Sequence, residues 1–365
     1  MSIEFVRIFG LLRAALSNSP LRLGAFATMS DEDWDSIFHI SMRHDVTALV
    51  CDGILQLPQQ LHPARQIMLQ FIAEQEKTRS RYIKMQHALA KLLHFFNQHH
   101  ISTMLLKGIS LSALYPIPSH RKFLDIDIYQ MGDYQQADEL LQQHFKIAVH
   151  EDAHHHTKYN FDGITIENHF DFLNCHDHRS NRRYEVILKE QVSHDLRQVK
   201  LGEESLLLPS PTFNALFLMR HTTGHFAAGQ ISLRYLCDWY LFLQKQGKYV
   251  DWSYVTSVYQ QYNMHQFVAT LQGILEDYFS LPSYPNLPHS KDSKLQERVL
   301  NDILNGEFAE PEHPQENLGR LFWKIRRFQS NNWKHAITYS DSRASVFFTS
   351  LFAHLQKPRS IIHKM

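Results

Sequence analysis

The chain has 365 residues, and its 37 Lys plus Arg balance 37 Asp plus Glu, so the formal net charge is zero and a long polyanion such as nucleic acid is not the expected partner. Hydrophobic residues at 44% and aromatic residues at 12% exclude a disordered chain, and the length suits two or three domains. Three widely spaced cysteines, Cys51, Cys175 and Cys237, argue against a disulfide framework and suit a reducing cytoplasm.

The N-terminal stretch MSIEFVRIFGLLRAALSN reads as an amphipathic helix interrupted by Glu4, Arg7 and Arg13. No apolar run approaches the roughly 20 residues needed to span a bilayer. Ser30 before Asp31, Glu32 and Asp33 is an N-cap, and Trp34, Ile37, Phe38 and Ile40 give the following helix its apolar face. A second helix begins near Asp45. Residues 63–99 form one long helical pattern through Met68, Phe71, Met85, Leu89, Leu92 and Phe96, which links the leading helices to the segment that follows.

That segment, MLLKGISLSALYPIPSHRKFLDIDIY over 104–129, carries the chemistry. A short apolar strand, Met104 to Leu106, is followed by Gly108, which opens a helical pattern carrying Ile109, Leu111, Leu114 and Tyr115. A phosphate could sit at that helix start, where backbone N–H groups and the helix dipole favour an anion and glycine permits close approach. Lys107 and Ser110 would add a cation and a hydroxyl, and Arg121 a planar fork; the plainer reading of Arg121 is a surface arginine. In DIDIY, Asp125, Asp127 and Tyr129 fall on one strand face and Leu124, Ile126 and Ile128 on the other. Two carboxylates over an apolar floor suit Mg2+ or Mn2+ together with substrate phosphates; the plainer reading is a strand with one wet face.

Downstream, Ala137 to Phe145 reads as a helix, with strands near 146–150 and 158–161 and a hairpin turn at Asp162-Gly163. In GITIENHFDF, Thr165, Glu167, His169 and Asp171 share one face. Glu167 is the third carboxylate that two-metal phosphoryl chemistry calls for, as ligand or as base. His169 is expected to orient Glu167 or touch the acceptor, or simply to be hydrogen-bonded at the sheet edge; Asp171 is expected to be solvated. The core is thus a small mixed sheet with helices against it. From Thr212 on, helices are expected near 212–226, 231–246, 251–261, 264–279 and 292–304, then a loop at FAEPEHPQEN, then an aromatic and basic helical tail over 318–356.

Histidine is over-used, at 25 residues. His154-His155-His156, His176 with His178, and His221 with His225 raise a zinc reading, because i, i+4 histidines share one helix face. No Glu follows His221 to complete a hydrolytic pattern, and the cysteines show no paired spacing. Arg234 and Asp238, also i, i+4, suit a helix-surface or interhelical pair.

LLKG before an aliphatic helix ending in Tyr-Pro, then Pro-x-x-Arg, Asp-Ile-Asp and Glu-x-His, together resemble the bacterial nucleotidyltransferase family of the NTP_transf_5 type, within the DNA polymerase β-like superfamily. LLLPSPTFNALFLMRHTTGHF, ISLRYLCDWYLFL and the N-terminal DWDSIFHISMRHDVTALVCDGIL are similar to that family's flanking helices, so the resemblance runs to about residue 255. It implies an α+β fold in which a polymerase β-like palm (85–205) lies between an N-terminal helical region (1–84) and a C-terminal one (206–365). Asp125 and Asp127 would bind metal and Glu167 complete the triad. Lys107, Gly108, Ser110 and Arg121 would hold the triphosphate, and His169, His221, Arg234 and Asp238 would border the acceptor side. Lys107-Gly108 stands where relatives carry Gly-Ser, and a glutamate replaces the usual third aspartate. The implied activity is Mg2+-dependent transfer of an NMP unit from an NTP such as ATP to a hydroxyl of a small molecule or protein, releasing pyrophosphate. A catalytically silent nucleotide-binding or protein-interaction module is the alternative, and a zinc hydrolase a distant third.

Overall fold

In α1 (Ile3–Ser17) the side chains of Phe5, Ile8, Leu11 and Leu12 are buried. The helix packs on α3 (Thr47–Ile54) so closely that a Cβ on Gly53 would lie 2.4 Å from the Leu11 carbonyl oxygen. Between them, Ser30 starts α2 (Asp31–Arg43) with a capping box: its hydroxyl accepts from the Asp33 N–H and its own N–H donates to the Asp33 carboxylate. The long periodic pattern is one helix, α4 (Arg65–Gln98). In this computed structural model residues 2–152, 155–176, 178–290, 292–306, 326 and 329–342 are described.

After α4 come β1 (Met104–Leu105), the one-turn α5 (Ile109–Ser112), β2 (Asp125–Tyr129), α6 (Tyr134–Phe145), β3 (His150–Asp152), β4 (His156–Phe161), β5 (Ile164–His169), α7 (Arg179–Gln191), β6 (Arg197–Leu201) and β7 (Glu204–Leu208). The strands form one mixed sheet in the order β3-β4-β5-β2-β1-β7-β6, so the fold is α+β. β2 runs parallel to β5 and antiparallel to β1, while β1 runs parallel to β7. Asp162 and Gly163, both with positive φ, make the β4–β5 turn that their sequence announces.

Alternation along the strands divides the core in two. Leu105, Ile126, Ile128, Ile164 and Ile166 pack with α4 and α6 on one face. Met104 and Tyr129 belong to the larger core on the other face, with α1, α3, α8 (Pro211–Ala228), α9 (Leu233–Gln246), α10 (Trp252–Gln261) and α11 (His265–Phe279). N-terminal and C-terminal helices therefore share one core, completed by α12 (Ser293–Asn305) and the helix Asn332–Thr338. Among the described residues no helix is long and apolar enough to cross a membrane.

The structure departs from expectation at one strand and in three unforeseen elements. The strand foreseen near 146–150 begins only at His150, because Lys146 takes the left-handed conformation that ends α6. α7 and the β6–β7 hairpin were not foreseen. The segment foreseen as a loop at 308–317 and most of the 318–356 tail lie outside the described residues, as does His154.

His44 ties the two helical regions together. Its Nε2 faces the Leu304 carbonyl at 3.2 Å while Nδ1 accepts from the Leu233 N–H at 3.4 Å, an arrangement that needs the neutral ring. Burial pushes its pKa down to about 4, the Leu304 carbonyl opposing. The unfolded chain therefore binds a proton below about 6.5 that the folded chain refuses, so this contribution is full above that pH and is lost as pH falls toward 4, by at most about 3 kcal/mol. Urea titrations of wild type and His44→Gln at pH 7.5 and pH 5 check it: the variant should show the smaller loss between the two pH values, and an equal loss would contradict the assignment.

Candidate active site

Asp125 and Asp127 share a face of β2, and the parallel pairing of β2 with β5 sets Asp127 beside Glu167 and Tyr129 beside His169. Ile126 and Ile128 are buried behind them, but Leu124 is 61% exposed, so the apolar floor consists of the two isoleucines. The reading of a wet carboxylate face holds only for Asp125, which is half-buried. Asp127 is 1% exposed, because Lys107 Nζ and His169 Nε2 each lie 3.1 Å from its Oδ1. Glu167 Oε1 meets Lys158 Nζ at 3.3 Å and His156 Nε2 at 3.8 Å. His169 thus orients Asp127 rather than Glu167, and its Nδ1 reaches the Asp171 carbonyl at 3.2 Å. Asp171 itself is paired with Lys189, not merely solvated.

Gly108 has φ +56°, and a Cβ there would lie 3.4 Å from Asp127 Oδ2 and 3.7 Å from the Asp125 carbonyl oxygen. Both the backbone conformation and the closeness of the carboxylate strand favour glycine. The helix after it is a single turn, so its dipole is small, and Ser110 Oγ turns back to the Leu106 and Lys107 carbonyls at 2.7 and 3.1 Å.

Arg121 is not a surface arginine. It is 3% exposed and forms a two-pronged pair with Asp238, Nε to Oδ1 at 2.7 Å and Nη2 to Oδ2 at 2.8 Å. Tyr115 Oη donates to Asp238 Oδ1 at 2.6 Å, and Arg234 Nη1 approaches Oδ2 at 3.5 Å. Arg234 and Asp238 are therefore part of a buried network joining α9 to the segment that leads into β2.

The charges shape one another. Burial alone would raise the Asp127 carboxyl, but Lys107 and His169 outweigh it and hold the group well below the usual carboxylate range. Asp125 and Glu167 go the other way, raised first by burial and then by neighbouring carboxylates. Burial disfavours the charge on Lys107, yet Asp127, Asp125 and Glu167 raise its pKa.

These groups line a cleft of about 630 Å3. Lys107, Gly108, Asp125, Asp127 and Glu167 form one wall, and His221 and His225 on α8 with Arg234, Tyr235 and Asp238 on α9 face it. The His221 and His225 rings meet at 4.4 Å and lean on Tyr235 at 6.4 and 5.7 Å. Desolvation by the surrounding cleft walls, and after it the Lys107 charge, lowers both imidazoles, although His225 keeps an exposed edge. Ser110 lies behind this lining, as does His169. His156, singled out in the sequence as part of a histidine cluster, also lines the cleft, and Arg220 is a lining residue that sequence reasoning missed. His156 pairs directly opposite His169 in the β4–β5 register. Arg220 is buried on Asn181, Ser180 and the Thr338 carbonyl, with Tyr339 under its guanidinium at 4.2 Å. The one local signal for Arg220 is its place beside His221.

Residues 30–280 match the model of the family described as "Uncharacterised nucleotidyltransferase". The chain belongs to this nucleotidyltransferase family. The matched span holds the sheet, α8 to α11 and every residue from Lys107 to Asp238 discussed above, while Tyr339 lies beyond it. Among solved structures, a crystal structure of an antigenic nucleotidyltransferase-like protein from Paracoccidioides brasiliensis is 11% identical, covers 54% of this chain and 93% of its own, and has a TM-score of 0.33. No curated protein matches the chain.

Proposed function

We propose that this nucleotidyltransferase moves an NMP unit from an NTP to a hydroxyl of a small molecule or protein on a polymerase β-like palm, with a divalent cation, Mg2+ or Mn2+, at Asp125, Asp127 and Glu167. The observation that carries the reading is the register: Asp127 opposite Glu167, Asp125 on the same face, all in the lining of one cleft. The donor set fits the cation. Three carboxylates crowd together, with Asp125 and Glu167 already driven toward their protonated forms, and oxygen ligands suit a hard ion that would relieve the repulsion. When bound, the ion supplies charge stabilisation to the phosphate oxygens and the departing pyrophosphate.

The chain's own groups do the rest. The acceptor oxygen attacks the α-phosphorus, the bond to the α,β-bridging oxygen breaks, and pyrophosphate leaves. Glu167, beside Asp127 in the β2–β5 register, is the carboxylate placed to take the hydroxyl proton. Lys107 and Arg234 put cations on opposite walls for the triphosphate. The neutral His221, His225 and Tyr235 rings give a flat wall for a base or an acceptor. The test is label position: α-labelled NTP should mark the acceptor and γ-labelled NTP should not. Transfer of the γ label would overturn the reading.

A second reading, a silent nucleotide-binding or protein-interaction module, is favoured by the internal engagement of the phosphate-side groups. Lys107 is on Asp127, Ser110 on its own turn and Arg121 on Asp238. Lys107→Ala separates the two. Weaker but still Mg2+-dependent NTP binding accords with the transferase, in which Lys107 holds the triphosphate; no NTP binding by either protein accords with a silent, interaction-only module.

A further inference from the structure

We propose that His155, His156 and His169 form a binding site for a divalent transition ion of the Zn2+ class, at the end of the β4–β5 pair beside the carboxylates. One ligand nitrogen from each ring lies within 4.8 Å of the others, and the ring centroids are 4.5, 5.2 and 5.5 Å apart. Two nitrogens on one tetrahedral ion stand ~3.4 Å apart, given Zn–N bonds of about 2.05 Å, so small ring rotations close the set.

The backbone holds these rings together. His156 and His169 are directly opposed across antiparallel strands, which puts both side chains on one face. The His155 carbonyl accepts the Phe170 and Asp171 N–H groups at 3.1 Å each, which fixes that residue to the end of β5.

Both nitrogens of His169 also face oxygens that only accept: the Asp171 carbonyl at Nδ1 and the Asp127 carboxylate at Nε2. A neutral ring has one N–H to offer two acceptors. When an ion binds, Nδ1 donates to the carbonyl, the usual outer-shell arrangement of a metal-ligating histidine, and Nε2 exchanges its contact with Asp127 Oδ1 for the ion. Asp127 Oδ1, 3.1 Å from that nitrogen, is near enough to serve as a fourth ligand once it leaves Lys107 Nζ.

Imidazole nitrogens select transition ions over Mg2+, which asks for oxygen. A bound ion would pin β4 to β5 and hold His169 against Asp127. The site does not depend on the transferase reading.

Co2+, which reports tetrahedral imidazole ligation by its visible absorption, is the probe. It is titrated into the chelator-treated full-length chain, into His155→Gln and His155→Ala/His156→Ala, and into Asp125→Asn. Expected is one tight Co2+ per chain, weakened at least about tenfold in the histidine variants, as loss of even outer-shell partners weakens metal sites, and unchanged in Asp125→Asn. The single, partly exposed His155→Gln change keeps the test valid if the double variant misfolds. No tight Co2+, or equal affinity in the histidine variants, would overturn the proposal. So would loss in Asp125→Asn alone, since the ion would then belong to the carboxylate site.

Discussion

Asp238→Ala is expected to destabilise the protein by about 3–5 kcal/mol, the range for removing one partner of a buried ion pair. Asp238 is buried on α9 and accepts from Arg121 Nε, Arg121 Nη2 and Tyr115 Oη at 2.7, 2.8 and 2.6 Å. Without it the Arg121 guanidinium, 3% exposed, keeps its charge with its strongest partner gone, because burial cannot deprotonate it. Asp238→Asn keeps the shape and loses the charge, so it should fall between wild type and Ala. Urea unfolding reads the effect as a lower midpoint at unchanged slope. A loss within about 1 kcal/mol for Asp238→Ala would mean that Arg121 finds water or another partner, contrary to its burial. Arg121 enters β2 four residues later, so the pair also sets the distance between the carboxylate strand and the α8–α9 wall.

The two aspartates should behave differently when each is changed to asparagine. Asp125 is half-buried and its carboxyl is raised by burial and by Asp127, so the charge is unfavourable where it stands. Asp125→Asn should leave stability within about 1 kcal/mol of wild type. It should also weaken metal-dependent nucleotide binding by at least about 100-fold, or about 2.7 kcal/mol. Asp127 is the reverse case. It neutralises Lys107 and meets His169 in a buried setting, so Asp127→Asn should lose nucleotide binding and also cost several kcal/mol. Thermal melts and nucleotide titrations on the same samples check both. Equal melting temperatures for the two variants would contradict the burial argument.

The contrast shows what a single chain reveals of its own site. The period-2 alternation of DIDIY and ITIENH is enough to place Asp125, Asp127 and Glu167 on their faces, because strand faces follow from local geometry. The capping box at Ser30 and the Asp162-Gly163 turn are equally local. The role of Arg121 is not local: its partner lies 117 residues away, and a surface arginine and a buried one look alike in a row of letters. His156 meets His169 only because of the β4–β5 register, and Asp127 is dry because Lys107 and His169 close over it. α7 was missed because its sequence RSNRRYEVILKEQ is mostly polar and buries few apolar residues, Tyr184 and Leu188 chief among them. β6 and β7 were missed because most of their residues are partly or fully exposed, so their alternation is weak.

The measurement that bears most directly on the account is calorimetric titration of ATP, GTP, CTP and UTP into wild type and Asp125→Asn, each with and without Mg2+. At least one nucleotide should bind wild type only with Mg2+ and bind Asp125→Asn at least about 100-fold more weakly. Binding that ignores Mg2+, or an Asp125→Asn chain that binds Mg2+-NTP as tightly as wild type, would contradict the assignment of Asp125, Asp127 and Glu167 as the metal and nucleotide site.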